Sequence, residues 1–307
     1  MERRRIKKLG DFLSTHNNNN IKLFEYKFQT AFLFWNGNCH TFFISLNIMK
    51  NKILATLILF VTLSFTAQEK EPVFKKGEWL RFKMSYSGFL RAGSAVLSVD
   101  ETTLNGKDVF HVTGKGWTSG MIKWFFKVDD DYQSYFDKET GKPYLFKRKI
   151  NEGGYKKNRH TTFNYDKKEA YIQDFIKQKD TTISNIDNIQ DMMSSFYYLR
   201  NYDLSKIKPG DEIKLDMFMD SQIYPFKLRF LGTEILKTKF GKLKTMRFRP
   251  VVQSGRVFKA QESVTIWVTA DANRIPIKMK ASLSVGSLRA ELEAYKGLAN
   301  SFEVLFD

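Results

Sequence analysis

One cysteine and four histidines stand in a chain of 307 residues. A single thiol excludes an intramolecular disulfide framework and any zinc cage built on cysteine. The scattered histidines leave little for a histidine-rich metal site. Also missing are the motifs that announce a chemistry by their spacing: no G-x-S-x-G elbow, no H-E-x-x-H, no P-loop, and no G-x-G-x-x-G opening a helix. Gly114-Lys115-Gly116 comes nearest. Trp117-Thr118-Ser119-Gly120 follows it in a strand-like context, so it reads as a bend between strands and not as a phosphate cradle. The apolar run Ile53 to Phe65 has 13 residues, well short of the roughly 20 that a membrane-spanning helix needs.

What is present fits a chain that folds around a core: 42% hydrophobic, 15% aromatic and 27% charged residues. The short apolar run has a second reading. Lys50 and Lys52 precede it, and small Thr66 and Ala67 follow before a charged stretch. That is the anatomy of a secretory signal peptide over residues 49–67, although bulky Phe65 sits at −3 of the cut; a core helix or an uncleaved anchor is the alternative. A signal peptide acts from a true N-terminus, so translation is expected to start at Met49. Residues 1–48, with the basic block Arg3, Arg4, Arg5, Lys7 and Lys8, are then expected to be upstream sequence read in frame, a non-native extension. The expected product is an exported, periplasmic domain over residues 68–307. Without a cysteine at the cleavage point it is not a lipoprotein.

Residues 1–67 hold nine Lys/Arg and three Asp/Glu, which leaves 41 against 30 and a balance of +11 in the exported part. Its basic residues are mostly lysine and lie along every segment. Nucleic-acid binders concentrate charge on one face and favour arginine for bidentate contacts, so no nucleic-acid partner is expected. A solvated lysine-rich surface, making at most a peripheral contact with anionic headgroups, fits the pattern.

Period-two alternation dominates. Leu80, Phe82, Met84 and Tyr86 alternate with Arg81, Lys83 and Ser85. Tyr224, Phe226, Leu228 and Phe230 alternate with polar residues, and so do Leu288, Ala290, Leu292 and Ala294. One apolar and one polar face is the mark of antiparallel sheet over a single core. Turn signals such as Asn105-Gly106 and Gly153-Gly154 divide it into about twelve strands. One segment breaks the period: Ile189, Met192, Met193, Phe196 and Leu199 recur at three and four, predicting a helix over 188–201 with Asp187 as N-cap. It either packs on the sheet as core or walls a cavity with its adaptable Met and aromatic side chains. Four turn anchors recur at an offset of 133–135: Gly77-Glu78 with Gly210-Asp211, Gly106 with Gly241, Asp137 with Asp271, and Pro143 with Pro276. They suggest two related β units, about 74–180 and 207–297, joined by the helix.

Few residues suggest chemistry. His111 lies mid-strand without a second histidine nearby, and His160 sits among polar residues at a strand start. In Asp129-Asp130-Asp131, alternation puts Asp129 and Asp131 on one face and Asp130 on the other, without the spacing of a calcium loop. The most unusual stretch is Trp117 to Phe126. It gathers Trp117, Met121, Trp124 and Phe125 beside Gly116 and Gly120. It fits a buried strand or short helix, or else the lip of an apolar pocket or an interfacial contact. For the lip, the hairpin tip at Phe89 is the natural neighbour.

Phe74-x-x-Gly77-Glu78-x-Leu80, Ala92-Gly93 leading into Ala95-x-Leu97, and Phe126-Lys127-Val128-x-Asp130 with Ser134 and Asp137 occur in this order. Ser194-Ser195-Phe196-Tyr197-Tyr198-Leu199-Arg200, Pro209-Gly210-Asp211, Trp267-x-Thr269-x-Asp271 and Arg274-Ile275-Pro276 follow. Together they resemble the exported bacterial family known only as domain of unknown function 3108. The resemblance implies a β-rich envelope protein and carries over no catalytic residue. Strands around a central helix are also similar in architecture to the half-barrels of periplasmic lipoprotein carriers.

The fold expected is therefore mainly β: a curved antiparallel sheet or half-barrel of two related units with one central helix. The function expected is non-enzymatic, without cofactor or metal. An apolar or lipid-like ligand, such as an acyl chain, would be held by Phe89, Trp117, Met121, Trp124, Phe125, Met192, Met193 and Phe196. Two alternatives stand beside it. One is an envelope scaffold that binds other envelope proteins. The other is a glycan-acting hydrolase using the Asp129–Asp131 group or His111.

Overall fold

The computed structural model describes residues 72–251, 264–283 and 286–306. The leader and upstream readings for residues 1–67 lie outside them. Glu71–Asp307 forms a compact unit of its own. The ladders and core clusters of the described residues fall within it.

Fifteen strands are present among the described residues, more than the turn signals predicted. They are β1 (Trp79–Tyr86), β2 (Leu90–Leu104), β3 (Lys107–Thr118), β4 (Asp129–Asp137), β5 (Pro143–Glu152), β6 (Tyr155–Asn164), β7 (Glu169–Asp174) and β8 (Lys179–Ser184). After these come β9 (Ile189–Gln190), β10 (Glu212–Met219), β11 (Gln222–Thr238), β12 (Gly241–Val251), β13 (Val264–Thr269), β14 (Pro276–Ser282) and β15 (Ser287–Lys296). A short helix α1 (Ile122–Phe125) joins β3 to β4, and α2 (Met192–Asn201) joins β9 to β10.

All strands belong to one sheet, ordered β8-β7-β6-β5-β4-β3-β2-β1-β15-β14-β13-β12-β11-β10-β9. Every neighbour is antiparallel except β9 with β10. Each strand pairs with the next except β8 with β9, which end the order, and β15 returns to β1. The sheet curls strongly: Phe163 of β6 and Phe218 of β10, near opposite edges, bring their rings to 5.5 Å. Asp220, in the turn after β10, accepts hydrogen bonds from Arg148 of β5 at 2.7 Å and Lys157 of β6 at 2.5 Å. Side chains close this seam.

Helix α2 lies on the concave face. Tyr197 is buried there against Phe74 and Phe136, and Leu199 packs on the Ile213, Phe230 and Phe248 cluster. Removing side chains such as Leu80, Phe82 and Leu292 from water contributes about 1.5–3 kcal/mol each.

The helix begins later than the period predicts, at Met192 and not Asn188, and its N-cap is Asp191, not Asp187. Two local facts explain the difference. Asn188 takes a positive φ of 41°, and Ile189–Gln190 are drawn into pairing with Asp216 and Met217. Asp191 then forms a capping box. Its carboxylate accepts from Met193 N at 2.7 Å and Ser194 N at 2.9 Å, while Ser194 Oγ accepts from Asp191 N at 2.9 Å. Ser134 of β4 donates to the other carboxylate oxygen at 2.6 Å, which ties the helix start to the sheet.

Full burial raises the Asp191 carboxyl to about 6 against the lowering pull of these donors. A carboxyl raised in the folded state binds its proton more tightly there. Its contribution is therefore present in acid and is lost as pH rises from the usual carboxylate range through about 6. The loss is on the order of 2–4 kcal/mol. Denaturant midpoints of wild type and Asp191→Asn, compared from pH 3.5 to pH 7.5, are expected to diverge progressively from the usual carboxylate range up to about pH 6 and to hold a constant difference above it. Parallel profiles would show that Asp191 does not titrate there.

Two of the four recurring turn anchors carry the same hydrogen bonds. Gly77 N and Val99 N bond to Val99 O and Glu78 O, each at 2.9 Å; Gly210 N and Phe230 N bond to Phe230 O and Asp211 O at 2.8 and 2.9 Å. Both glycines have positive φ, 87° and 100°. Asp137 caps the backbone N–H groups of Glu139 and Thr140, as Asp271 caps those of Asn273 and Arg274.

Candidate functional site

Because the strands meander, their turns alternate between two ends of the sheet. The turns after β2, β4, β6, β11 and β13 share one end, where Asp137, Asn164 and Asp271 cap backbone N–H groups. The turns after β1, β3, β5, β7, β10 and β14 share the other end, here called the rim. Exposed apolar side chains concentrate on the rim: Phe89 at 81%, Trp124 and Phe125 at 85% each, with Met121, Phe126, Tyr155, Phe175, Ile176 and Leu283 also exposed.

These side chains stand on a supported frame. Ser119 N donates to Ala92 O at 3.0 Å, joining the first two tips, and Gly153 N donates to Lys127 O at 2.8 Å, joining the second and third. Within the middle tip, Thr118 Oγ1 accepts from Val128 N at 2.9 Å and Phe126 N bonds to Ile122 O at 2.8 Å. The Phe126 ring lies directly on Gly153, where an added Cβ would come within 2.4 Å of it. None of the residues of α1 is buried.

Below the rim, the concave face divides into two walls. Directly opposed antiparallel residues share a face, so the pairings Phe82–Ala95–Gly116–Asp130 and Met84–Ala290–Met279–Ile266 run across it. Met84, Ala95 and Gly116 are half-buried, and Met279 and Leu288 remain 39% and 42% exposed. Apolar side chains this open on a concave face mark unfilled space. The two glycines of β3 locate its boundary. A Cβ on Gly114 would lie 2.7 Å from Met193 Sδ, whereas a Cβ on Gly116 would meet nothing within 4 Å. Helix α2 therefore fills the face as far as Gly114, and the lumen opens from Gly116 to the rim.

The opposite wall is charged. Tyr132, Arg148, Arg159 and Asp174 oppose one another across β4 to β7. Arg159 Nε donates to Asp174 at 2.7 Å. Burial pushes the Asp220 carboxyl up, but the Lys157 hydrogen bond and the charges of Arg148, Lys157 and Arg159 outweigh it and hold it below the usual range. Glu152 is raised, by burial first and then by its hydrogen bond to Asp130 and that group's charge. An apolar wall facing a charged one suits an amphiphile.

The structure separates the sequence-predicted site residues. Phe89, Met121, Trp124 and Phe125 stand on rim turns, the Phe89 hairpin beside the Trp117 segment, whereas Trp117 itself, next to inward Gly116 and opposite Ser94 and Asp129, lies on the outer face. Met192, Met193 and Phe196 lie on α2 and are half-buried: Met192 and Met193 against the Phe146 and Phe163 cluster, Phe196 against Tyr197. They form the floor, away from the mouth. The charged wall was not anticipated. Its signal is Arg148 between inward Phe146 and Ile150, where alternation calls for an apolar residue.

His111 lies on the outer face, stacked on Tyr135 at 4.1 Å and bonded to Gln133 Oε1 at 3.2 Å. Burial, against the pull of that bond, lowers its pKa. Asp130 is buried and accepts from Asn151 N at 3.0 Å. Asp131 takes Gln133 Nε2 at 2.9 Å on the other face. Among the described residues no group of three His, Cys, Asp or Glu is placed to hold a metal ion, and no helix is long and apolar enough to cross a membrane.

The class defined by this geometry is a half-barrel of one antiparallel sheet wrapped on a single helix, with an aromatic rim at one end. The chain belongs to the family described as Protein of unknown function (DUF3108), whose profile matches residues 81–293. Among curated proteins, none matches it in sequence. Solved structures that it resembles include the β-barrel-like protein of domain of unknown function DUF1849 from Brucella abortus. That match has a TM-score of 0.48 at 9% identity over 71% of this chain and 96% of that one. A candidate lipoprotein from Parabacteroides distasonis gives a TM-score of 0.32 at 13% identity, over 75% and 100% of the two chains. A candidate exported protein with YmcC-like fold from Bacteroides fragilis gives 0.27 at 10%, over 73% and 97%.

Proposed function

We propose that this is an exported, non-enzymatic protein that holds an apolar or amphiphilic ligand, an acyl chain or lipid, in the lumen between α2 and the rim. The observation that carries the reading is the open space over Gly116, flanked by half-exposed Met84, Ala95, Met279 and Leu288. The apolar wall takes the chain of the ligand, and Arg148, Lys157 and Arg159 stand where a polar or anionic head would lie. Export rests on the signal-peptide pattern from Met49, and the absence of a cysteine at its end speaks for a product without a lipid anchor.

Titration of residues 68–307 with a fluorescent fatty acid tests it. Saturable binding is expected, with a blue-shifted emission that an unlabelled lipid displaces. Emission that rises without saturation, or that no lipid displaces, would contradict the proposal.

A further inference from the structure

We propose that the rim is a docking surface whose partner is the face of an anionic phospholipid bilayer. Each of the six described turns at this end carries an exposed apolar side chain on or beside it, among them Phe89, Trp124, Tyr155, Ile176, Ile223 and Leu283. An aromatic side chain presents roughly 150–250 Å². Phe89, Trp124 and Phe125 together thus reach the few hundred Å² at which an exposed patch on a soluble protein marks an interaction site. The hydrogen bonds joining the tips hold these side chains out in water, although a Gly-flanked segment could otherwise fold them inward.

Charge selects the occupant. Between Trp117 and Val128 there is no acid, and the two charges are Lys123 and Lys127, both exposed. Lys156 follows Tyr155 at the next tip, and Lys177 follows Phe175 and Ile176 at the one after. None of these four lysines makes an ion pair among the described residues. Asp174 and Asp220 are tied to Arg159 and Lys157 instead. Aromatic tips interspersed with free lysines match a bilayer interface, where aromatics settle at headgroup depth and lysines meet anionic phosphates. In that pose the lumen faces the lipid. The inference stands on the rim alone and holds whether or not the lumen carries a ligand.

Co-sedimentation of residues 68–307 with phosphatidylglycerol-containing vesicles, against phosphatidylcholine vesicles, tests it. Wild type is expected to bind the anionic vesicles. Trp124→Ser with Phe125→Ser should lower partitioning by about tenfold or more, with an unchanged circular dichroism spectrum because neither side chain is buried. Lys123→Gln with Lys127→Gln should lower it by roughly tenfold on anionic vesicles only. Gly116→Phe, which fills the lumen, should bind vesicles like wild type, so the lumen and rim readings fail separately. Absence of vesicle binding by wild type, or binding by the serine variant equal to wild type, would overturn the proposal. So would a wild-type dimer that the serine variant abolishes while vesicles have no effect, which would assign the rim to a second copy of the chain.

Discussion

Arg200→Ala is expected to lower stability by about 3–5 kcal/mol, enough to unfold a marginal domain near physiological temperature. Arg200, in the last turn of α2, donates to Glu78 through both terminal nitrogens, at 2.5 and 2.8 Å, and to the carbonyls of Val73 and Asn273 at 3.3 and 2.9 Å. Both charged side chains are almost wholly buried. The guanidinium also lies 5.5 Å from the Phe74 ring centre and 5.4 Å from that of Tyr197, contacts that add cation–π attraction. One side chain thus joins the helix to the segment before β1 and to the β13–β14 turn.

Truncation leaves the Glu78 carboxylate in the core without its partner, which is the expensive outcome. Replacing both members by apolar residues removes two desolvation penalties along with the attraction. Arg200→Met with Glu78→Leu should therefore recover at least half of the loss. Urea midpoints of the two single variants and the double variant measure this. A double variant as unstable as the sum of the singles would show that the pair does not act as a unit.

The second large effect is a contrast between neighbours on one strand. Gly116→Phe is expected to abolish fatty-acid binding while leaving stability within about 1 kcal/mol of wild type, since a strand glycine is already slightly unfavourable. Its ring would occupy the space where a Cβ now meets nothing. Gly114→Val should cost about 1–3 kcal/mol by overpacking, because the new Cβ falls 2.7 Å from Met193 Sδ and 3.2 Å from Leu97 Cδ2. Thermal melts and probe titrations of both variants distinguish the cases. If the two substitutions destabilise equally, α2 extends its packing to Gly116 and the lumen is smaller than described.

Period and turn chemistry explain why so much of the fold was legible. Leu80, Phe82 and Met84 alternate with Arg81 and Lys83 on the opposite face, so the sheet follows from the chain itself. The α2 period was legible too, but its start was not. Nothing in Asn188-Ile189-Gln190 forbids helix, and only pairing with Asp216 and Met217, some 27 residues away, extends it. The rim was half legible. Grouped aromatics drew attention to Trp117–Phe126, but their exposure depends on Ala92 and Gly153, which fix the tip from neighbouring hairpins. The charged wall was the least legible part. Arg148, Arg159 and Asp174 lie on three strands, and Asp220 reaches them only because the whole sheet curls; each taken alone looks like one more surface charge.

Native mass spectrometry of residues 68–307, purified from bacterial cells without detergent, tests the central claim most directly. The account predicts a population carrying one acyl or lipid molecule that denaturation releases, and the loss of that population in Gly116→Phe. Wild type that emerges without ligand, and stays so after incubation with phospholipids and fatty acids, would contradict it.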